Sequence, residues 1–328
     1  MDKLDKKDRL ILYELDRDCR QPLSSIAKKA GLARESVLYR TKRYKEGGLI
    51  RDFLTVVDMS KLGFEHYKVF AKMRHISAAE EKELIQDLCS NPFVTWLGSC
   101  EGEYSLIFAI KARSLLELRR VLKEINSKYW MHFLEQDISP IAAAHHFYRD
   151  YLAEKGSAIE RKIEWGSREG AVVLEEKDAL VLDALCKDSR ASAAAIAQSV
   201  RLSPSSVLQR IRRLEKEGIV THYTIWPNVN ALKGFYYKVL ISLHNLDPKK
   251  EARLLSYCEH HPNIVFAVEA VAQWQFEMDV EVENGEEFRA LMRDFLEKFD
   301  DIVSDYTPLN IYQEHKYCFF EKECLKKK

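Results

Sequence analysis

The chain has 328 residues, with 51 Lys and Arg against 51 Asp and Glu, and 46% of its residues are hydrophobic. This length suggests two or more domains, and the composition excludes a disordered chain. No apolar run approaches the roughly 18 residues of a membrane-spanning helix, and the charged N-terminus lacks the apolar core of a signal peptide. Seven scattered cysteines without a CxxC pair indicate reduced thiols in a cytoplasmic protein.

Charge is distributed unevenly along the chain, although it sums to zero. Residues 1–50 contain 13 basic and 8 acidic side chains, whereas residues 221–328 contain 13 basic and 18 acidic ones. Residues 174–220 return to a slight basic excess, 8 against 7. Such local patches can hold a polyanion, because phosphate contacts are local and screened beyond about 10 Å. The sequence therefore has a basic segment near the start of each half.

An internal repeat divides the chain into two copies of one module. A shift of 170 residues places Ile26-Ala27 on Ile196-Ala197 and Ser36-Val37-Leu38 on Ser206-Val207-Leu208. A period of this length excludes a solenoid and indicates a duplicated two-part module. The predicted divisions are 1–50 and 51–150 for the first copy, 151–173 for a connector, and 174–220 and 221–328 for the second copy.

Each copy opens with three predicted helices. In the first copy, apolar residues at helical spacing predict a helix from Leu4 to Leu15, and two more are predicted over 24–30 and 34–46. Gly31 supplies the turn between the second and third helices. In the second copy, Ser203-Pro204 provides an N-cap and a first helical residue for the third helix. A short helix, a turn and a longer basic helix predict a winged-helix-like helix-turn-helix.

The second part of each copy alternates strands and helices in the order β-α-β-β-α-β. This is the ferredoxin-like arrangement, whose sheet has two helices on one face and needs a partner to bury the other. The predicted fold class is therefore α+β, a duplicated module of helix-turn-helix plus ferredoxin-like domain. The predicted strands are 66–74, 93–101, 103–111, 134–148, 235–243, 263–271, 274–282 and 302–317, with helices at 79–89, 114–126, 249–259 and 286–299.

This element order resembles the Lrp/AsnC family of feast/famine transcription regulators, and the resemblance covers nearly the whole chain twice. The residues that carry it include Asp8-Arg9-Leu10-Ile11-Leu12 and Gly47-Gly48-Leu49-Ile50 in the first copy, and Arg210-Ile211 and Gly218-Ile219-Val220 in the second. The resemblance implies a sequence-specific transcription regulator that binds double-stranded DNA. In that family the ferredoxin-like domains pair across a dimer, so two fused copies imply an intramolecular pseudo-dimer, with higher homo-oligomers left open.

The third helix of each copy is the predicted recognition helix. Its net charge is +4 over residues 34–45 and +2 over residues 204–217. A recognition helix presents its N-terminal half to base edges and its basic side chains to phosphates, with arginine suited to guanine, glutamate to cytosine and glutamine to adenine. The two helices differ, so we expect two unlike half-sites about one DNA turn, or a multiple, apart. The predicted DNA-binding residues are Arg34, Glu35, Ser36, Tyr39, Arg40, Lys42, Arg43, Ser205, Ser206, Gln209, Arg210, Arg212 and Arg213.

The turn between the second and third strands is the candidate effector site. The family carries a Gly-x-Tyr-Asp turn there, near its small-molecule effectors. The aspartate is missing from both turns, and the ammonium group of an amino acid needs an anionic partner. An ordinary amino-acid effector is therefore disfavoured. The candidate effector residues are Gly102, Glu103, Tyr104, Ser105, Gln273, Trp274 and Gln275.

Two other functions stay open at this stage. The siroheme decarboxylases resemble the same two-part module, and such an enzyme would need a tetrapyrrole cavity, for which His145, His146 and Arg149 are candidates. A scaffold that no longer binds DNA is the other. Adjacent histidines in a strand point to opposite faces, so this pair is not a chelate, and we predict no metal and no cofactor. The basic third helices favour the regulator, since an enzyme has no evident need of them.

Overall fold

The computed structural model describes residues 4–153, 162–166 and 172–325. The first copy contains three helices, a strand and then a ferredoxin-like βαββαβ unit. In chain order, the elements are α1 Lys6–Arg17, α2 Leu23–Ala30, α3 Arg34–Glu46, β1 Ile50–Val57, β2 Glu65–Met73, α4 Ala78–Ser90, β3 Val94–Glu101, β4 Leu106–Ala112, α5 Leu115–Tyr129 and β5 Phe133–Phe147.

The second copy repeats this series after a short strand in the connector. Three short 3-10 helices, Met59–Leu62, Asp150–Leu152 and Lys322–Leu325, complete the described elements. The remaining elements are β6 Lys162–Trp165, α6 Glu176–Lys187, α7 Ala193–Val200, α8 Pro204–Lys216, β7 Val220–Pro227, α9 Val229–Leu232, β8 Phe235–Leu243, α10 Pro248–His260, β9 Ile264–Ala270, β10 Phe276–Val282, α11 Gly285–Lys298 and β11 Val303–Tyr317.

The two ferredoxin-like sheets join edge to edge into a closed antiparallel barrel. Its strand order is β2-β4-β3-β11-β8-β10-β9-β5, and β5 pairs with β2 to close the ring. The two 15-residue strands make the joins. The first part of β5 pairs with β2 of its own sheet and its last part with β9, while β11 pairs in turn with β8 and β3. Closure leaves no free edge among these eight strands.

Successive side chains along each strand point to opposite faces of the sheet. One set packs against the helices outside the barrel, and the other set fills the interior of the barrel. On β2, Tyr67, Val69 and Ala71 face α4 and α5, and equivalent residues of β8 and β10 face α10 and α11. The opposite faces of the two sheets point into the barrel, where Phe70 and Leu240 lie in one shared cluster. The face of each sheet that carries no helices is thus buried by the other sheet.

A two-stranded antiparallel ribbon connects the two helix-turn-helix units, which we call the heads. β1 follows α3 and β7 follows α8, and the two strands pair along their length, with Leu54 opposite Thr224. The strand after each recognition helix therefore pairs with its counterpart in the other copy. Both heads and the ribbon share one hydrophobic core.

The α+β class and the duplicated module are confirmed, and most predicted elements lie within three residues of their observed ends. We did not predict β1 and β7, nor β6, which lies inside the predicted connector. The division at 50/51 cuts β1 after its first residue, so the domain limits stay a prediction. Residues 154–161 and 167–171 of the connector lie outside the described residues. No described helix is long and apolar enough to cross a membrane.

Candidate nucleic-acid interface

Local signals build the two heads in slightly different ways. Asp5 and Asp8 form a reciprocal capping box at the start of α1, which satisfies backbone N–H groups that have no partner in the helix. α2 ends at Gly31, whose φ of +60° suits glycine. The second copy places Arg201 at this point with φ of +55°, a conformation that is costly for a residue with a side chain.

A buried carboxylate in the first head anchors the recognition helix α3. Asp8 accepts hydrogen bonds from Arg40 at 2.5 Å and from the Tyr44 hydroxyl at 2.5 Å. Arg40 also donates to Asp5 at 2.9 Å, and Arg43 approaches Asp8 at 3.4 Å. The pKa of Tyr44 is raised by burial and by the Asp8 carboxylate. This cluster ties the middle of α3 to the first turn of α1.

The second head has an equivalent anchor, in which arginines contact the carboxylate but no tyrosine does, because Leu214 replaces Tyr44. Asp178 accepts from Arg210 at 2.5 Å and pairs with Arg213 at 3.3 Å. Arg213 also pairs with Glu175 at 2.7 Å and with Glu217 at 2.9 Å, which raises its pKa. The corresponding pairs occur in both copies, so the arrangement belongs to the module.

Four arginines predicted to contact DNA are therefore held by carboxylates within the heads. The side chains of Arg40 and Arg210 are only 23% and 18% exposed, whereas Arg43 and Arg213 keep 49% and 41% of their surface. The first two therefore have little exposed surface for a phosphate contact, and the other two have about twice as much.

The outward face of α3 carries most of the other predicted residues of the first head. Arg34, Glu35 and Lys42 are exposed, with 58%, 79% and 72% of their side-chain surfaces open, and Tyr39 is 68% exposed. Ser36 is half-buried. Glu35, Ser36, Tyr39, Arg40 and Arg43 line one surface groove of about 450 Å³, so the structure brings these five together.

The outward face of α8 is smaller and less charged. Ser205, Gln209 and Arg212 are exposed, and Ser206 is half-buried. Aligned by the repeat, Glu35 is replaced by Ser205, Tyr39 by Gln209 and Lys42 by Arg212.

Sequence reasoning missed one feature that both heads share. Leu38 and Leu208 occupy the same position of the repeat and are 47% and 44% exposed, in the middle of each outward face. Apolar side chains at such a place can contact the methyl group of thymine. The helical spacing grouped Leu38 with Val37 and Tyr44 as apolar positions, whereas the structure buries those two and exposes Leu38. The available signal was the recurrence of a leucine directly after a core valine in both copies.

Direct contacts between the heads fix their relative position. Arg20 donates to the backbone carbonyls of Ser189 and Ala191, the latter at 3.2 Å, and Arg190 donates to the carbonyl of Cys19. The Cys19 thiol lies 3.4 Å from the Ser189 hydroxyl. These are equivalent positions of the repeat, so the heads meet about a pseudo-two-fold axis.

The two candidate effector turns meet inside the barrel. Tyr104 and Trp274 lie 6.3 Å apart between ring centroids, and Phe70 packs edge-on against Trp274 at 4.7 Å. The Tyr104 hydroxyl donates to Asp137 at 2.8 Å. A carboxylate missing from the turn itself is thus supplied by β5.

The other turn residues remain near the surface and make local contacts. Glu103 pairs with Lys72 at 3.0 Å, and the Ser105 hydroxyl accepts from the backbone of Met73 at 3.4 Å. Gln275 accepts from the backbone of Leu243, whereas Gly102 and Gln273 are exposed. The predicted effector residues therefore do not converge on one pocket.

A cavity of about 80 Å³ with a mostly apolar lining lies between the ribbon and the barrel. His146 lines it and lies 2.9 Å from the Nε2 atom of His222. Arg149 also lines it, whereas His145 points away to Glu269 at 2.7 Å. The adjacent histidines thus face opposite sides of β5. The three candidates for a tetrapyrrole site are not brought together.

Arg149 links the first head to the interior of the barrel. It donates to Asp16 of α1 at 2.6 Å and to Glu281 of β10 at 2.9 Å. Although burial opposes the charge, these two carboxylates raise the pKa of Arg149 well above its usual value. The positive charge of Arg149 is therefore balanced by two carboxylates inside the protein.

Models of known protein families match a helix-turn-helix domain in each copy of the repeat. An AsnC-type helix-turn-helix domain model matches residues 4–45, and a winged helix-turn-helix DNA-binding model matches residues 174–221. The HTH-type transcriptional regulator FL11 of Pyrococcus horikoshii is 27% identical over 124 residues, which are 38% of this chain and 81% of that protein. An uncharacterised HTH-type transcriptional regulator of the same organism is 30% identical over 121 residues, 36% of this chain and 80% of its own length.

A likeness in fold extends over the whole chain. The crystal structure of the siroheme decarboxylase NirDL superposes with a TM-score of 0.58 over 96% of this chain and 94% of that one, at 12% identity. At this identity the likeness concerns the fold. Together with the sequence matches, it fits two modules in tandem. The chain belongs to the Lrp/AsnC family of transcription regulators, with two copies of the family module fused in one polypeptide.

Proposed function

We propose that this protein is a sequence-specific regulator of transcription that grips one asymmetric DNA site with two unlike heads. The observation that carries the proposal is that α3 and α8 present outward faces of different composition while the ribbon and the Arg20 and Arg190 contacts hold both heads in one arrangement. Such a pair suits two half-sites of different sequence at a set spacing.

In this proposal the exposed residues of each helix read bases, and the basic ones also hold phosphates. The first head offers Arg34, Glu35, Tyr39 and Lys42, with Arg43 near the backbone. The second offers Ser205, Gln209, Arg212 and Arg213. Arg40 and Arg210 act indirectly by positioning their helices through Asp8 and Asp178. Ser36 and Ser206 lie at the edge of each interface.

The ferredoxin-like parts are proposed to pair the two copies and to receive any small-molecule effector. The turns around Tyr104 and Trp274 are the proposed effector region. Asp137 restores a carboxylate at one of them, yet it already accepts from Tyr104 at 2.8 Å. A free amino acid remains the disfavoured effector, because neither turn carries an aspartate of its own.

The direct test is selection from a random DNA pool at two salt concentrations, followed by affinity measurement on the selected site. We expect specific binding that weakens as salt rises, since phosphate contacts release counterions. Tyr39→Ala with Lys42→Ala should weaken binding at one half-site, and Gln209→Ala with Arg212→Ala at the other, by roughly 10-fold each. Arg293→Ala on α11, exposed and remote from the heads, is the matched control.

Two outcomes would count against the proposal. A perfectly palindromic selected site would contradict unlike heads. An absence of salt-dependent DNA binding would favour a scaffold that no longer contacts DNA.

A tetrapyrrole enzyme is the second candidate, because the siroheme decarboxylase shares the fold over nearly the whole chain. Its substrate would need far more room than the cavity offers, about 80 Å³ against the ~300 Å³ or more of typical small-molecule sites. His145 also points away from that cavity. Visible absorbance after incubation with siroheme and gel filtration distinguishes the two, and a retained colour would favour the enzyme.

A further inference from the structure

The interior of the barrel contains two buried lysines at equivalent positions of the repeat. Lys68 lies on β2 and Lys238 on β8, and both are almost fully buried. Their neighbours across the sheet differ, because Lys68 is opposite Ala109 and Lys238 is opposite Asp279. The first sheet therefore provides a lysine without a carboxylate beside it.

The missing carboxylate comes from the other sheet. Lys68 pairs with Glu277 of β10 at 2.5 Å, while Lys238 pairs with Asp279 and lies 3.7 Å from Glu277. Tyr236 donates to Asp279 at 2.8 Å. Two lysines and two carboxylates thus form one buried group across the two sheets.

We propose that this buried charge set makes the first ferredoxin-like sheet a partner for the second sheet only, and neither sheet a partner for a copy of itself. The equivalents of Glu277 and Asp279 in the first sheet are Ile107 and Ala109. A barrel of two first sheets would enclose two lysines and no carboxylate at this level. A barrel of two second sheets would enclose two lysines and four carboxylates.

The energetic reason is the cost of a buried charge that has no partner. Removing one member of a buried ion pair is strongly destabilising, whereas the complete pair is close to neutral. Specificity then comes from the penalty on wrong pairings more than from attraction in the right one.

A second pair of contacts, nearer the heads, also differs between the two copies. Arg149, after β5, meets Glu281 of the other sheet, and Lys111 donates to the carbonyl of Phe319 after β11. Lys111 and Glu281 are equivalent positions, as are Arg149 and Phe319. Pairing two first copies would bring Arg149 against Lys111, and pairing two second copies would bury Glu281 against Phe319. The first alternative places two buried cations together without Glu281, although Arg149 keeps Asp16 of its own copy, and the second leaves Glu281 without Arg149.

This selectivity does not depend on the DNA-binding proposal. It means that exchange of halves between chains still gives first-to-second pairs, so every barrel carries one head of each kind.

The first test is competitive pairing. A protease site is inserted within residues 154–161, the folded protein is cut, and the fragments are unfolded in urea, refolded together and weighed by native mass spectrometry. We expect mixed pairs to exceed like pairs by roughly 100-fold, from the cost of unmatched buried charges. A statistical mixture, in which about half of the pairs are mixed, would overturn the proposal.

The second test uses the intact chain and does not require the fragments to refold. Glu277→Ile with Asp279→Ala installs the residues of the first sheet and should lower the urea midpoint strongly. Adding Lys68→Met and Lys238→Met should restore most of the loss, because the two lysines that lost their carboxylates are then gone. Glu297→Ala, on the exposed face of α11, is the control. Additive losses in the fourfold variant would contradict the charge set as the source of selectivity.

Discussion

At the scale of single residues, the basic side chains of α3 and α8 differ in their contacts and in their exposure. Arg40 and Arg210 lie in basic helices and were predicted to contact DNA, yet each is held by a carboxylate of its own head. The sequence shows the spacing of Asp8 and Arg40 but not their contact, since the two lie on different helices. Exposure, which depends on neighbouring helices, separates these arginines from Arg34 and Lys42.

Replacing the anchoring carboxylates should reveal their structural role. Asp8→Ala leaves the Tyr44 hydroxyl without its acceptor and leaves Arg40 with Asp5 alone. We expect a loss of about 2–3 kcal/mol in the free energy of unfolding. Asp178→Ala should cost less, about 1–2 kcal/mol, because Leu214 stands where the first head has Tyr44. Urea titration measures both losses. An equal loss in the two heads would contradict a contribution from the Tyr44 hydroxyl.

A buried histidine should make stability depend on pH. Burial, with the nearby charges of Lys111 and Lys68, lowers the pKa of His66 to about 3 from a usual 6.5. Between these values the unfolded chain binds a proton that the folded chain rejects, so stability falls as pH falls. The slope is about 1.4 kcal/mol per pH unit, or about 2 kcal/mol between pH 6.5 and 5.

Comparison with a variant isolates this contribution. His66→Gln should lose less stability than the unmodified protein over the same interval, measured by urea unfolding. Parallel pH profiles for the two proteins would show that His66 is not the source. His222, also buried with a lowered pKa, remains in both and acts in the same direction.

At the scale of elements, local patterns predicted the helices and strands well, while strands whose partners lie far away were missed. Apolar spacing located α3 from Arg34 to Glu46, as observed, although its N-cap residue Ala33 makes no side-chain cap, whereas Ser203 caps α8. Among the strands that the structure describes, β1 pairs with β7 alone, some 170 residues on. β1 is short and of mixed polarity, so its local sequence does not indicate that a distant strand pairs with it.

The turn between the second and third helices allows a reciprocal test. Arg201 has φ of +55° where the first head has Gly31 at +60°. Arg201→Gly should therefore stabilise the protein by about 0.5–1 kcal/mol, and Gly31→Arg should destabilise it by a similar amount, because only glycine adopts this conformation without strain. Thermal unfolding measures both changes. Shifts of the same sign would refute the conformational explanation.

At the scale of the whole molecule, the ribbon, the contacts between heads and the closed barrel make one body of two copies. Neither head can turn without breaking the Arg20 and Arg190 hydrogen bonds or the pairing of β1 with β7. We therefore expect the spacing between half-sites to be narrowly defined.

A spacing series on the selected DNA site examines this rigidity. Adding five base pairs between the half-sites turns one of them to the opposite side of the helix. The two heads then cannot bind together, and affinity should fall by roughly 100-fold as the second contact is lost. Electrophoretic mobility shift or fluorescence anisotropy gives the affinities. A flat response to spacing would mean that the heads move independently.

The sequence by itself determined the duplication, the order of the elements and the difference between the two recognition helices. These properties are written in local periodicity, in capping residues and in the alignment of one half on the other. Tertiary structure alone decided which arginines are anchored, how the sheets close into a barrel and where the buried charges find partners. The physical reason is that those outcomes depend on pairs such as Lys68 and Glu277, which lie far apart in the chain and meet only when both sheets share one interior.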